Sequence, residues 1–230
     1  MQFGPFTPIR VSTRSAAAPV GGNCPARCGP NLIPMRDQTI GDWLDQLASR
    51  APAPGGGAVA AMHTAMAAGL VEMVCNLTIG KPRYAEHEPT MLGALREAGQ
   101  CRAEAVELAE RDAAAFTAVT TAYRLPKEDE RDRAVRGERI QQALRAAAEV
   151  PLRTAEVAER VLELAGRIRR GANVNVLSDV DVAEHSARAA LASAVVNVEV
   201  NLAAMTDQAA RAELAAEVSR IGRVLEGVRA

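Results

Sequence analysis

From Thr39 onward the chain repeats one design: apolar positions recurring at helical spacing, interrupted by breaks rich in Pro and Gly, with no useful run of period-two alternation. Thr39 is placed to cap a helix over 40–49, in which Ile40, Trp43, Leu44 and Leu47 share a face. Pro52-Ala53-Pro54-Gly55-Gly56-Gly57 then turns the chain, because proline fixes φ and glycine tolerates close backbone approach. The stretch 58–79 is nearly uncharged and long enough for about six turns of helix, which predicts a central helix buried on all sides. Gly80-Lys81-Pro82 stops it, and a loop leads to a long helix over 88–124 with Leu92, Leu95, Val106, Ala109, Ala113, Phe116 and Tyr123 near one stripe. Leu125-Pro126 breaks that helix, and the charged run 127–139 opens the next on a wet face. Pro151 fits the first turn of a separate helix over 152–169. After a break at 171–178, helices over 179–202 and 206–228 complete an all-α chain, an antiparallel bundle of long alanine-rich helices.

Composition supports that architecture and narrows what it can do. Hydrophobic residues make up 48% of the 230 positions but aromatics only 3%, so alanine, leucine and valine must build the core, as suits closely spaced helices. A net charge of −1 offers no global field for nucleic acid. Length alone would let 58–79 span a membrane, but His63, Glu72, Asn76 and two threonines inside it argue against that. Residues 1–36 stand apart, with six of the twelve prolines, four arginines and no acid. They read as a flexible arm preceding one helical domain at 37–230, with a transit peptide or an over-long start as the other readings. The body carries 23 basic and 28 acidic residues, net −5. Cys24 and Cys28 lie in the arm without a second Cys/His pair, and Cys75 and Cys101 fall in apolar helical patterns. No metal site is expected, and the reduced cysteines point to the cytoplasm.

A few polar groups stand out of place. A helix opening in glycines presents free N–H groups to an anionic or carbonyl-rich ligand, which makes Gly55, Gly56 and Gly57 candidate binding residues. Glu104, Glu107 and Glu110 read as surface acids, whereas Asp112 has Leu108, Ala109, Ala115 and Phe116 as its helical neighbours. Burial there would raise its pKa and suit it to moving a proton; pairing with an arginine across the bundle is the structural alternative. The same two readings apply to Glu72. His63 and His185 have no second imidazole at ligand spacing and read as satisfied core or interface histidines. Ser178 or Asp179 is expected to cap the penultimate helix, and Asn197 and Asn201, one turn apart among apolar residues, to be buried amides needing partners.

Taken in order, PAPGGGAVAA, MVCNLTIGKPRY, RDAAAF, YRLPK, NVNVLSDVDVA and NVEVNL resemble the cyclodeaminase/cyclohydrolase family of folate enzymes over about residues 38–228. That family includes the cyclodeaminase domain of formiminotransferase-cyclodeaminase and stand-alone methenyltetrahydrofolate cyclohydrolases. The resemblance implies an all-helical subunit that dimerises through helices, with a folate site built partly at the subunit interface. It implies Asp112 as the proton-transferring group and Gly55–Gly57 as the glycine turn. Lys81 and Arg83 would then meet the glutamate tail of a folate, polyglutamylated or not, and Asn173 and Asp179 match polar positions of the site. Two departures are Ala58, where a serine often follows the glycines, and Ala172, where a glycine often precedes the asparagine.

The implied reaction is hydrolysis of 5,10-methenyltetrahydrofolate to 10-formyltetrahydrofolate, with no cofactor beyond the folate itself. Without an attached formiminotransferase domain, cyclohydrolase is the expected activity. Cyclodeamination of 5-formiminotetrahydrofolate, with release of ammonia, is the alternative. A non-catalytic folate-binding or scaffolding subunit is a third reading.

Overall fold

The computed structural model describes residues 34–227, which hold six α-helices and no strand. The helices are α1 (Ile40–Leu47), α2 (Gly56–Asn76), α3 (Glu88–Tyr123), α4 (Glu130–Arg169), α5 (Leu177–Ala204) and α6 (Gln208–Gly227). The arm expected over 1–36, with Cys24 and Cys28, lies almost wholly outside the described residues.

Four long helices form the core, α2 to α5, and α6 packs on α5 and α4. Cross-helix bonds set the registers. Glu104 accepts Arg153 at 2.6 Å and Arg160 at 2.8 Å, and Glu97 accepts Arg167 at 2.7 Å, so α3 and α4 run antiparallel. Ala58 with Asp112 and Glu72 with Arg102 make α2 and α3 antiparallel as well. The interior is mainly alanine and valine, with Met91, Leu108, Ile168 and Leu191 fully buried among them. Small side chains let the axes approach closely, so the core gains packing density where it lacks aromatic area. Cys75 and Cys101 are free and buried, and burial pushes the Cys75 thiol up to about 11, which keeps it protonated and inert.

Several expected elements are corrected. Pro151 does not start a helix; α4 runs unbroken through it. Proline removes the N–H that would bond Ala147, and the freed Ala147 carbonyl instead accepts Asn201 Nδ2 at 3.2 Å. Neither Ser178 nor Asp179 caps α5: Asn173 accepts the Asn175 N–H at 3.2 Å ahead of a single tight turn, Val174–Val176, and α5 begins at Leu177. α2 is not buried all round, because Met66 and Met73 are exposed. On α3 the expected stripe holds only in part: Ala109 is buried and Leu95 packs on the core, but alanines 94, 98 and 105 also face inward while Leu92, Phe116 and Tyr123 are exposed. Thr39 does cap α1, its Oγ1 accepting the Asp42 N–H at 3.0 Å, yet Ile40 on that helix is 78% exposed.

Candidate active site

The site arises from a difference in helix length. α2 has 21 residues where α3 has 36 and α4 has 40. Because Ala58 sits beside Asp112, the last eleven residues of α3 run about 16 Å past the first turn of α2. Above that turn α3, α4 and α5 enclose a cavity of about 360 Å³, with the amino end of α2 as its floor. Asp112, Phe116 and Val119 line it from α3, Leu144 and Ala147 from α4, and Asn197, Val200 and Asn201 from α5.

Asp112 and the glycine turn meet closely. Ala58 N–H donates to Asp112 Oδ2 at 3.1 Å. A Cβ on Gly57 would overlap the Asp112 carboxylate, and one on Gly56 would stand 3.3 Å from the Asn197 amide. Glycine at 57 is therefore a packing requirement of the site, while a methyl at 56 would need the Asn197 amide to give by a few tenths of an ångström. Gly55 differs, because a Cβ there would meet no atom within 4 Å. The N–H groups of Gly56 and Gly57 open the helix and have no acceptor among the described residues, so they offer two donors and the positive end of the α2 dipole to the cavity.

Burial raises the pKa of Asp112, and the bond from Ala58 N–H offsets part of that rise. Among the described residues it pairs with no cation, which removes the structural alternative considered for it. Glu72 goes the other way and forms an ion pair with Arg102. Glu104, expected as a surface acid, joins α3 to two arginines of α4. His63 Nδ1 is buried without a hydrogen-bond partner among the described residues.

The remaining candidates gather at the other end of α2, about 30 Å away along its axis. Lys81 and Arg83 are exposed there, Arg83 lying 5.6 Å from the Tyr84 ring centre, and Asp179 is partly buried in the first turn of α5. Asn173 is buried and bonded within the chain: its Nδ2 donates to the Leu77 carbonyl at 3.1 Å, and its Oδ1 accepts Tyr84 Oη at 3.4 Å. One chain thus brings together Gly55, Gly56, Gly57 and Asp112, and separately Lys81, Arg83, Asn173 and Asp179. Asn197 and Asn201, absent from the candidate residues, lie in the cavity wall; their polarity on an apolar helix was the available signal.

Residues 39–220 match the formiminotransferase-cyclodeaminase family. The chain is 44% identical over 173 residues to a methenyltetrahydrofolate cyclohydrolase of Methylorubrum extorquens, covering 75% of this chain and 83% of that one. It is 32% identical over 173 residues to the formimidoyltransferase-cyclodeaminase of Mus musculus, covering 75% of this chain and 32% of the mouse protein. It therefore spans about a third of the length of that larger relative. Among solved structures, the formiminotetrahydrofolate cyclodeaminase of Thermotoga maritima superimposes with a TM-score of 0.76 at 31% identity, over 84% of this chain and 92% of that one. This chain belongs to the formiminotransferase-cyclodeaminase family.

Proposed function

We propose that this chain hydrolyses 5,10-methenyltetrahydrofolate to 10-formyltetrahydrofolate, with Asp112 as the proton-transferring group. The observation that carries the reading is a desolvated carboxylate, unpaired with any cation among the described residues, held against the open end of a helix in a cavity. The substrate supplies the opposite charge, an amidinium carbon bridging N5 and N10. Asp112 attracts that cation and takes a proton as a water oxygen attacks the carbon. Gly56 and Gly57 N–H groups face the oxygen on which negative charge develops. Asp112 then returns the proton to N5 as the C–N5 bond opens, and the second water proton leaves as the formyl C=O forms. The amidinium is already electrophilic, so the step draws on no metal.

Similarity at 44% to a cyclohydrolase favours this over cyclodeamination. The second reading, closure of 5-formiminotetrahydrofolate with loss of ammonia, is supported by the 31% likeness to the solved cyclodeaminase and uses the same acid/base group. Absorbance decay of 5,10-methenyltetrahydrofolate separates them. Decay above the uncatalysed background that Asp112→Asn abolishes supports hydrolysis. Background-level decay by the native protein sinks it, and ammonia release from 5-formiminotetrahydrofolate becomes the next assay.

The working unit we infer is a homodimer. The candidate residues of one chain lie at opposite ends of α2, and an antiparallel pairing of two copies sets each Asp112 end beside the other copy's Lys81 and Arg83 end. Exposed Met66 and Met73 on α2, with Val182 and Val196 on α5, supply apolar surface for such a pairing. Lys81 and Arg83 then lie within reach of the carboxylates of a folate tail.

A further inference from the structure

Asn197 and Asn201 sit one turn apart on α5, about 6 Å along its axis, and both line the cavity. Each commits its amide nitrogen to the protein. Asn197 Nδ2 donates to the Ser193 carbonyl at 2.8 Å, and Asn201 Nδ2 donates to the carbonyls of Asn197 at 2.9 Å and Ala147 at 3.2 Å. Only a donor can face two carbonyl oxygens, so the Asn201 amide has one orientation and its Oδ1 is directed away from them. Pro151 supports that orientation: a residue with an N–H there would bond Ala147 and compete for its carbonyl, leaving the Asn197 carbonyl alone to hold the amide. No donor within the described residues reaches either Oδ1. The cavity wall therefore offers two hydrogen-bond acceptors beside the glycine N–H donors.

Resting on the folate reading, we propose that Asn201 is a specificity-determining residue whose Oδ1 accepts a hydrogen bond from the exocyclic amino group of the substrate's pyrimidinone ring, with Asn197 Oδ1 accepting from the adjacent ring N–H. Asn197 is level with the glycine turn, beside Gly56, and Asn201 lies one turn further into the overhang. A tetrahydropterin presents its N–H groups along one edge and its reacting N5 near the other. Holding the donor edge on α5 therefore carries the reacting carbon across the mouth of α2 towards Asp112. Pro151 is a positioning residue in this scheme, acting through the Ala147 carbonyl.

The test is equilibrium binding of 5-formyltetrahydrofolate and of its 2-desamino-2-methyl analogue, which lacks the amino donor, to native protein, Asn201→Ala and Pro151→Ala. One hydrogen bond between neutral groups predicts that native protein binds the analogue about 3- to 10-fold more weakly. Asn201→Ala should lose that factor for the parent compound only, so that the two ligands become equivalent. Pro151→Ala, which keeps every side chain of the cavity wall and adds a helical N–H, should narrow the preference even if Asn201→Ala does not fold. Equal weakening of both ligands, or an unchanged preference in both variants, overturns the proposal. Binding and discrimination by a native protein that leaves methenyltetrahydrofolate at background decay would sink the hydrolase reading and leave this one standing. No binding of either ligand would end both.

Discussion

Asp112 sits where its negative charge is costly to the fold and useful to a cationic substrate. Its folded pKa is raised by burial, so the folded state holds its proton to higher pH than the unfolded chain does. Stability from this group is then complete below the ordinary aspartate range, falls as pH rises through the window up to the raised value, and stays lower above it. Asp112→Asn removes the cost while its side-chain oxygen can still accept Ala58 N–H. Thermal melts should therefore place the variant at or above native stability at pH 7, with the difference shrinking as pH is lowered through that window. Turnover should fall by about 10²- to 10⁴-fold, the usual contribution of a general acid/base. For the native enzyme, activity should decline on the acidic side as the carboxylate protonates, at a pH above the ordinary aspartate value. Gly57→Ala forces the Asp112 carboxylate to move and should cost at least tenfold in turnover, whereas Gly55→Ala meets open space and should leave turnover within twofold. Asp112 was legible in the sequence because its helical neighbours are apolar. The fate of Glu72 was not, since Arg102 is thirty residues away on another helix.

At the scale of elements, the site depends on α2 being shorter than its neighbours. The glycine turn marked its start, and Leu125-Pro126 marked where the overhanging α3 ends at Tyr123. Pro151 misled because proline reads as a helix start at the first turn, and a sequence does not show that a side chain from α5 rescues the orphaned carbonyl of Ala147. The alanine-rich faces misled in a related way. Alanine reads as neutral in a periodic pattern, so larger residues such as Leu92 and Phe116 drew part of the stripe onto the exposed side of α3. The α2–α3 contact also carries a prediction. Arg102 is 52% exposed, so solvent screens its pair with Glu72, and Glu72→Gln should cost no more than about 1 kcal/mol. Denaturant melts check the stability, and turnover within twofold of native checks that Glu72 lies outside the chemistry. A large loss of turnover with stability intact would move Glu72 into the site.

For the whole molecule, the question is whether one chain holds a complete site. The motifs that carry the family resemblance fall at both ends of α2, and sequence order gives no sign that these ends are about 30 Å apart. If two copies pair antiparallel, Asp112→Asn and Arg83→Ala disable different halves of each site. In a mixed dimer one site then carries both lesions and the other carries neither. Random exchange makes half of the dimers mixed, each with one intact site of two, so mixing the inactive variants should restore about a quarter of native turnover. The measurement is methenyltetrahydrofolate decay after the two variants are unfolded together and refolded, beside each variant refolded alone. Recovery near that fraction requires Asp112 of one copy to work with Arg83 of the other. If Arg83→Ala is inactive alone and mixing restores nothing while mixed dimers form, each chain holds its own site. Lys81 and Arg83 would then act at a distance from the reaction, and the exposed apolar side chains of α2 and α5 would need another explanation.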